Sequence, residues 1–269
     1  MSHLPGTLFA RNLVERRDLI FQLVRRDFEQ RFVGSAAGWL WGVIHPLVLL
    51  LSWTFVFSVC LKQKLPPGEV TQSYSLYLFA GMLPWLLFQD TVLRSSSSLL
   101  EHANLITKTV FPAEVVPVSV FLSSLISHGM ALALVIATIA IMENHISPLL
   151  LLMPLYMALL GLFAVGIGWI AASLQVYLRD TVQMLSVALT FWFWLTPIFI
   201  TEDLVPANLR FLITANPLAY IVRAYRQMLL SYHAPDLADL GIVTACATLT
   251  FVLGGLFFRH MKRGFADVL

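Results

Sequence analysis

Few residues in this chain have the type and spacing for chemistry. Its seven histidines are scattered, with no H-E-x-x-H pair that would set two imidazoles on one helix face for a metal. Lys108-Thr109 lacks the glycines of a phosphate-cradling G-x-x-x-x-G-K-[ST] loop, so no nucleotide site is expected here. No G-x-S-x-G turn presents a nucleophile, and Ser95–Ser98 reads as the polar end of a helix because no histidine and carboxylate pattern supports it. Cys60 and Cys246 stand in apolar surroundings, which argues against a disulfide framework and against a metal site. His45 beside Pro46 and His128 beside Gly129 are the imidazoles inside long apolar runs, and both read as hydrogen-bonded structural residues. What is left is a chain whose chemistry lies in what it surrounds.

The elements around these residues are those of a bilayer protein. At 58% hydrophobic and 12% charged the chain lies far from the soluble norm of roughly 25% charged. Six charge-free runs are long enough to cross ~30 Å of hydrocarbon as helices. They predict spans at about 36–60, 73–94, 114–142, 148–176, 181–200 and 238–258, with a long outer segment over 202–237. The first run is too long for a secretory signal, and no small-residue cleavage site follows it. Residues 1–32 form a surface helix region and 33–269 the six-span domain. Twelve of the lysines and arginines fall on the side of the amino end and five on the other, which puts both termini in the cytoplasm. The fold class is an all-α integral membrane protein with an amino-terminal interfacial helix and short re-entrant outer helices between the fifth and sixth spans.

Within residues 11–32 a helical period gathers Leu13, Ile20, Phe21, Val24, Phe28 and Phe32 on one face. Glu15, Asp18, Gln22, Arg25, Arg26 and Glu29 take the other. A helix of this kind lies at the headgroup boundary or docks on a partner, and its mixed charges favour a protein. Gly34, Gly38 and Gly42, and again Ala164, Gly168 and Ala172, have the spacing of close helix packing; the first set equally fits a flexible entry to the first span. Pro206, Pro217 and Pro235 break the outer segment, and Asn216-Pro217 is the expected break between two short helices.

None of the proposed spans holds an acid or a base in its core, although ion-coupled transporters generally need one. Transport by this chain would therefore draw on an outside source, and a cytoplasmic ATPase is the simplest. The loop Glu101–Glu114, short and mixed in charge with apolar Leu105, Ile106 and Phe111, suits a cleft in such a partner.

The blocks RRDFEQRFVGSAAGWLWGVIHPL, LYLFAGMLPWLLF, NLITKTVFPAEVVP, VYLRD and NPLAYIVRAYR together resemble the type-2 ABC exporter permeases of the polysaccharide and polyol-phosphate export family, which move O-antigen, capsule or teichoic acid. The blocks stand in family order over nearly the whole chain and favour the O-antigen-like branch. The resemblance implies a homodimeric permease in the cytoplasmic (inner) membrane with a pair of cytoplasmic ABC ATPase subunits. ATP and Mg would bind on that partner and no cofactor on this chain. The cargo would be a lipid-linked polysaccharide, typically on undecaprenyl diphosphate; nucleic acid is not expected as a partner, and membrane lipid is.

Carried onto this sequence, the resemblance puts ATPase docking on the surface helix (Arg17, Arg25, Arg26) and on Asn104, Leu105, Lys108, Phe111 and Glu114. The outer gate would use Phe211, Ile213 and Tyr220, with Arg223 and Arg226 near headgroups or phosphates. Tyr177, Phe191, Trp192 and Trp194 either line a passage on which sugar rings slide or belong to the interfacial aromatic belt. Arg179 pairs with the adjacent Asp180 or else meets the diphosphate as a bidentate donor. The rival readings are a type-2 ABC exporter of a small drug or lipid, and an integral-membrane transferase acting on lipid-linked sugars. The transferase should carry acidic or histidine clusters at the membrane face, and the sequence holds none.

Overall fold

The computed structural model describes residues 16–31, 33–63, 65, 71, 73–108, 111–144, 146–199, 205–231 and 233–268, and among them there is no strand. Helix α1 spans Arg17–Gln30, and after a turn the chain enters α2, Trp41–Trp53, whose continuation Thr54–Cys60 widens to π-helical hydrogen bonding. Then come α3 (Tyr74–Glu101), the short α4 (Ala103–Lys108) and α5 (Val115–Met142). Helix α6 (Met153–Tyr177) is entered through a 3-10 turn at Pro148–Leu152 and is followed by α7 (Thr181–Leu195). Two short helices, α8 (Arg210–Thr214) and α9 (Pro217–Leu230), precede α10 (Leu237–Met261) and the terminal α11 (Phe265–Val268).

Local chemistry explains the boundaries. Ser73 accepts a hydrogen bond from the Leu76 amide at the start of α3, Asn216 from Leu218 at α9, and Asp236 from Ala238 at α10. Pro148 and Pro217 occupy first-turn positions, where a missing N–H costs nothing. The break expected at Asn216-Pro217 is present, with Asn216 extended at φ −92°, ψ 107°.

Among the described residues five stretches are long and apolar enough to cross a membrane: Gly38–Cys60, Tyr74–Glu101, Val115–Met142, Pro148–Tyr177 and Leu237–Gly264. The helix of the remaining expected span is shorter than 181–200. Helix α7 has 15 residues, about 22 Å at 1.5 Å per residue. It stops because Pro197 pushes Thr196 into the extended region, φ −91°, ψ 130°. Helix α3 instead outruns its expected end at 94, so Asp90 and Arg94 lie inside it. Ser95–Ser98 is likewise not a polar helix end: Ser95, Ser96 and Ser98 are buried within α3.

Helix α3 is the hub of the bundle. The share of its apolar window that is buried is 78%, against 11% for the first span and 17% for the last. Helices α5, α6, α7 and α9 all pack on it. Its Phe88 stacks on Phe163 at 5.5 Å and takes the edge of Trp192 at 5.3 Å. The small-residue stripe of α6 faces it: Ala164 and Ala172 are fully buried, and a Cβ on Gly168 would come within 2.9 Å of Ser95. The other stripe behaves differently. Gly34 (φ 77°) and Gly38 (φ 53°) have left-handed backbone and nothing within 4 Å of a Cβ, so they shape the entry turn, while Gly42 packs closely on Met130 of α5.

Candidate functional site

At one end of the bundle α4, the turn before α5 and the terminal segment come together. Helix α4 follows α3 after the single residue His102, and α11 packs against it. Asn104 is exposed, Leu105 and Phe111 are half-buried, and Phe111 rests on the core. For Lys108 the structure describes the backbone alone. Glu114 departs from the sequence expectation. It is buried at 6% exposure and takes Lys262 Nζ at 2.6 Å, while its carbonyl accepts Trp169 Nε1 at 3.0 Å. A carboxylate held in this way ties the tail to the base of α5 and has no surface to offer a partner, so its expected docking role is withdrawn.

Helix α1 lies on the flank of this end and packs on α5. Arg17, Asp18, Gln22, Arg25, Arg26 and Glu29 are exposed. Arg25 donates to Glu29 at 2.8 Å, and that hydrogen bond and charge hold its pKa above the ordinary guanidinium value. The inward face differs from the period drawn above: Leu23 is the buried apolar residue, Phe21 is 69% exposed, and Phe32 and everything before Arg16 lie outside the described residues. Two charged residues join that inward face. Asp27 accepts from Arg94 Nη2 at 2.5 Å, and Arg31 reaches Asp90 at 3.3 Å, Ser124 at 3.0 Å and Ser127 at 3.0 Å. Sequence reading missed this cluster, because Asp27 lies within the surface helix on neither face drawn above, and Asp90 and Arg94 fall at the expected end of the second span. A cavity of about 330 Å³, lined by Arg31, Trp41, His45, Asp90, Ser124 and His128 among others, opens beside it.

The aromatic group expected to line a passage is divided. Tyr177 is the last residue of α6, and α7 runs back from that end, which puts Trp194 some ~20 Å away along the helix. The Tyr177 hydroxyl donates to the Met261 carbonyl at 2.9 Å and its ring meets Phe265 at 6.2 Å, so it braces the tail. Trp192 is also structural, donating Nε1 to Asn216 Oδ1 at 2.9 Å and lying edge-on to Phe163. Phe191 and Trp194 are the most open of the group, at 68% and 60% exposure against 38% for Tyr177, in line with Met184 and Val187 on one face of α7. Arg179 and Asp180 are both exposed, and among the described residues no ion pair joins them. Successive residues at a helix start point different ways, so that pairing is corrected.

The outer helices are held inside the bundle. Asn216, 5% exposed, accepts from Trp192 and donates to Thr196 Oγ1 at 3.0 Å. Trp192 in turn meets Phe88, which stands midway along α3, so the α8–α9 turn reaches the level of the hub's centre. The Tyr220 hydroxyl donates to Thr214 O at 2.7 Å and fastens α9 to α8. Ile213 is buried, whereas Phe211 is 61% exposed. Of the two arginines, Arg226 is withdrawn from the surface where headgroups would lie. Arg223 pairs with Asp239 at 2.6 Å. Arg226, 9% exposed, donates to the carbonyls of Tyr77 (3.2 Å), Pro197 (2.9 Å) and Ile198 (2.7 Å) and lies 3.8 Å from the Tyr77 ring centre. The carbonyls of Pro197 and Ile198 lie just past the end of α7, outside its hydrogen-bond ladder, and a planar guanidinium with five N–H groups supplies them with donors. Among the described residues no group of histidine, cysteine and carboxylate side chains has the makings of a metal site.

Comparison with known proteins adds two findings. The model of the family described as "ABC-2 type transporter" matches residues 18–230. The chain is similar to the O-antigen export system permease protein RfbA of Myxococcus xanthus, 26% identical over 260 residues that cover 96% of this chain and 98% of that one. A protein of the same name from Klebsiella pneumoniae is 26% identical over 254 residues, 94% of this chain and 95% of that protein.

Proposed function

Because the chain belongs to the ABC-2 type transporter family, we propose that it is the membrane subunit of an ATP-driven exporter for lipid-linked, O-antigen-like polysaccharide. It works as a homodimer in the cytoplasmic membrane, with both termini inside and a pair of ATPase subunits binding ATP and Mg. The observation that carries this reading is the near-complete coverage of two O-antigen export permeases in both directions, 94–98% of each chain. The geometry is consistent with it. Helix α4, on the end of the rigid α3, is an exposed lever for a partner, and α1 presents charged side chains beside it. At the other end α8 and α9 dip between the long helices, where a gate over a glycan passage belongs. The exposed face of α7 with Phe191 and Trp194 suits the passage, since sugar rings stack their C–H faces on aromatics.

Two measurements test this reading. Membranes containing the chain together with its ATPase should move the lipid-linked glycan to the outer face when given ATP, and the purified chain alone should turn over none. Nucleotide turnover by the lone chain, or undiminished export in cells lacking it, overturns the reading. The docking part is tested by Asn104→Trp, which adds bulk at an exposed position of α4. ATPase recovery with the chain should fall roughly tenfold, as for loss of an interface anchor, with membrane insertion unchanged. Full recovery would remove α4 from the interface.

A further inference from the structure

The ionic cluster has no part in docking, passage or gate as described, yet it ties α1 to both α3 and α5. We propose that Asp27, Arg31, Asp90 and Arg94 form a charge-balanced clasp that carries displacement of the ATPase-facing end into the transmembrane helices; this rests on the exporter reading above.

Three observations argue for it. The first is that α1 is poorly held by apolar burial: among its described residues Leu23 alone is buried. Leu19, Ile20, Val24 and Phe28 are half-buried beside it, and polar contacts add to this hold, Asp27 to Arg94 and Arg31 to Asp90, Ser124 and Ser127. The second is that two carboxylates and two guanidiniums cancel, all partly withdrawn from water, with side-chain exposures of 19% for Asp27, 18% for Arg31, 29% for Arg94 and 41% for Asp90. Removing one member leaves an uncompensated charge in a low-dielectric site, which costs far more than the intact pair contributes. Removing an opposite pair restores the balance.

The third is the connectivity of α3. It runs as one helix from Tyr77, whose carbonyl accepts from Arg226 of α9, past Pro84 and through Asp90 and Arg94 to Glu101, one residue before α4. From Asp90 to Glu101 the helix holds no proline and is stiff along its axis, so a push on α4 arrives at the clasp; Pro84 lies between the clasp and the seat of Arg226. The clasp makes α1 and α5 follow. It also has room to rearrange, because the cavity of about 330 Å³ opens onto Arg31, Asp90, Ser124 and Ser127. Asp27 Oδ2 and Arg31 Nε, 3.7 Å apart, are buried without a hydrogen-bond partner. Arg31 can thus change partners between Asp27 and Asp90 without crossing packed apolar side chains.

The experiment uses the permease–ATPase complex in lipid nanodiscs or vesicles and three variants: Asp27→Asn, Arg94→Gln and the two combined. Each single variant should keep the ATPase bound and hydrolysing while export falls roughly tenfold, within the 5–150-fold range of typical coupling between sites. The double variant, neutral again, should recover most of the export. Hydrogen exchange over residues 19–30 should quicken in the singles and return toward the parent rate in the double. Parent-level export in both singles, unchanged exchange, or a double no better than the worse single overturns the clasp. If a single variant fails to accumulate, the double decides alone: it must accumulate and export. If the parent complex shows no ATP-driven export, the exporter reading itself falls and takes the clasp with it, an outcome distinct from the others.

Discussion

Gly254→Ala is expected to leave little folded protein in the membrane, whereas Gly255→Ala, one residue on, should be tolerated. The helices α6 and α10 cross at Gly166 and Gly254 with backbone against backbone. A Cβ on Gly254 would lie 2.2 Å from the Gly166 carbonyl oxygen, and one on Gly166 would lie 2.6 Å from the Thr250 carbonyl. No side chain is there to swing aside, so the axes must separate. Separation also opens the contacts of Trp169 with Phe251 at 4.8 Å and with Phe258 at 6.3 Å. Overpacking that side chains can absorb costs about 1–3 kcal/mol, and a clash absorbed by backbone belongs at or above the top of that range. A Cβ on Gly255 meets only Trp169, at 3.6 Å, an ordinary contact. Thermal unfolding followed by size-exclusion chromatography compares the pair, and equal melting temperatures would refute the crossing.

Arg226→Met should abolish export, and Gly81→Val should reproduce the defect from the other side of the contact. The guanidinium satisfies three carbonyls at once. The Pro197 and Ile198 carbonyls lie past the end of α7, and each acceptor left buried and unmet costs about 1–3 kcal/mol, so the loss amounts to a few kcal/mol and is borne by the junction of α3, α7 and α9. A Cβ on Gly81 would stand 2.7 Å from Arg226 Nη2, and the branched side chain of valine evicts the arginine from its slot. Arg226→Lys should rescue little, because an ammonium has no planar fork to reach three acceptors. Export assays with protease accessibility of α8 and α9 give the readout. Parent-level export in Arg226→Met, or a protected hairpin in both variants, would show that the outer helices are held by something else.

The opposite fates of Arg226 and Arg179 illustrate where sequence reasoning stops. Both are isolated arginines next to apolar runs, and by type both suit a phosphate. One is enclosed by carbonyls that lie just past the end of α7; the other lies exposed at a turn, its carbonyl accepting from Gln175. The difference lies in what faces them, and the facing residues stand far off in the chain. Likewise, Asp27 and Arg94 are 67 positions apart, and no local pattern pairs them.

By itself the sequence determined the things that depend on nearest neighbours. Charge-free length sets which segments cross ~30 Å of hydrocarbon, because a spanning helix must satisfy its own backbone hydrogen bonds. Proline and capping side chains set where α9 and α10 start, and family-ordered blocks named the kind of transporter. The tertiary structure alone decided which helix is central, which aromatics stay open and where the charges go. In a bilayer nearly every face is apolar, so hydropathy does not distinguish a face that meets lipid from one that meets a helix. Glycine at Gly254, guanidinium at Arg226 and the balanced cluster at Asp27 and Arg94 each take their meaning from a partner brought close by packing.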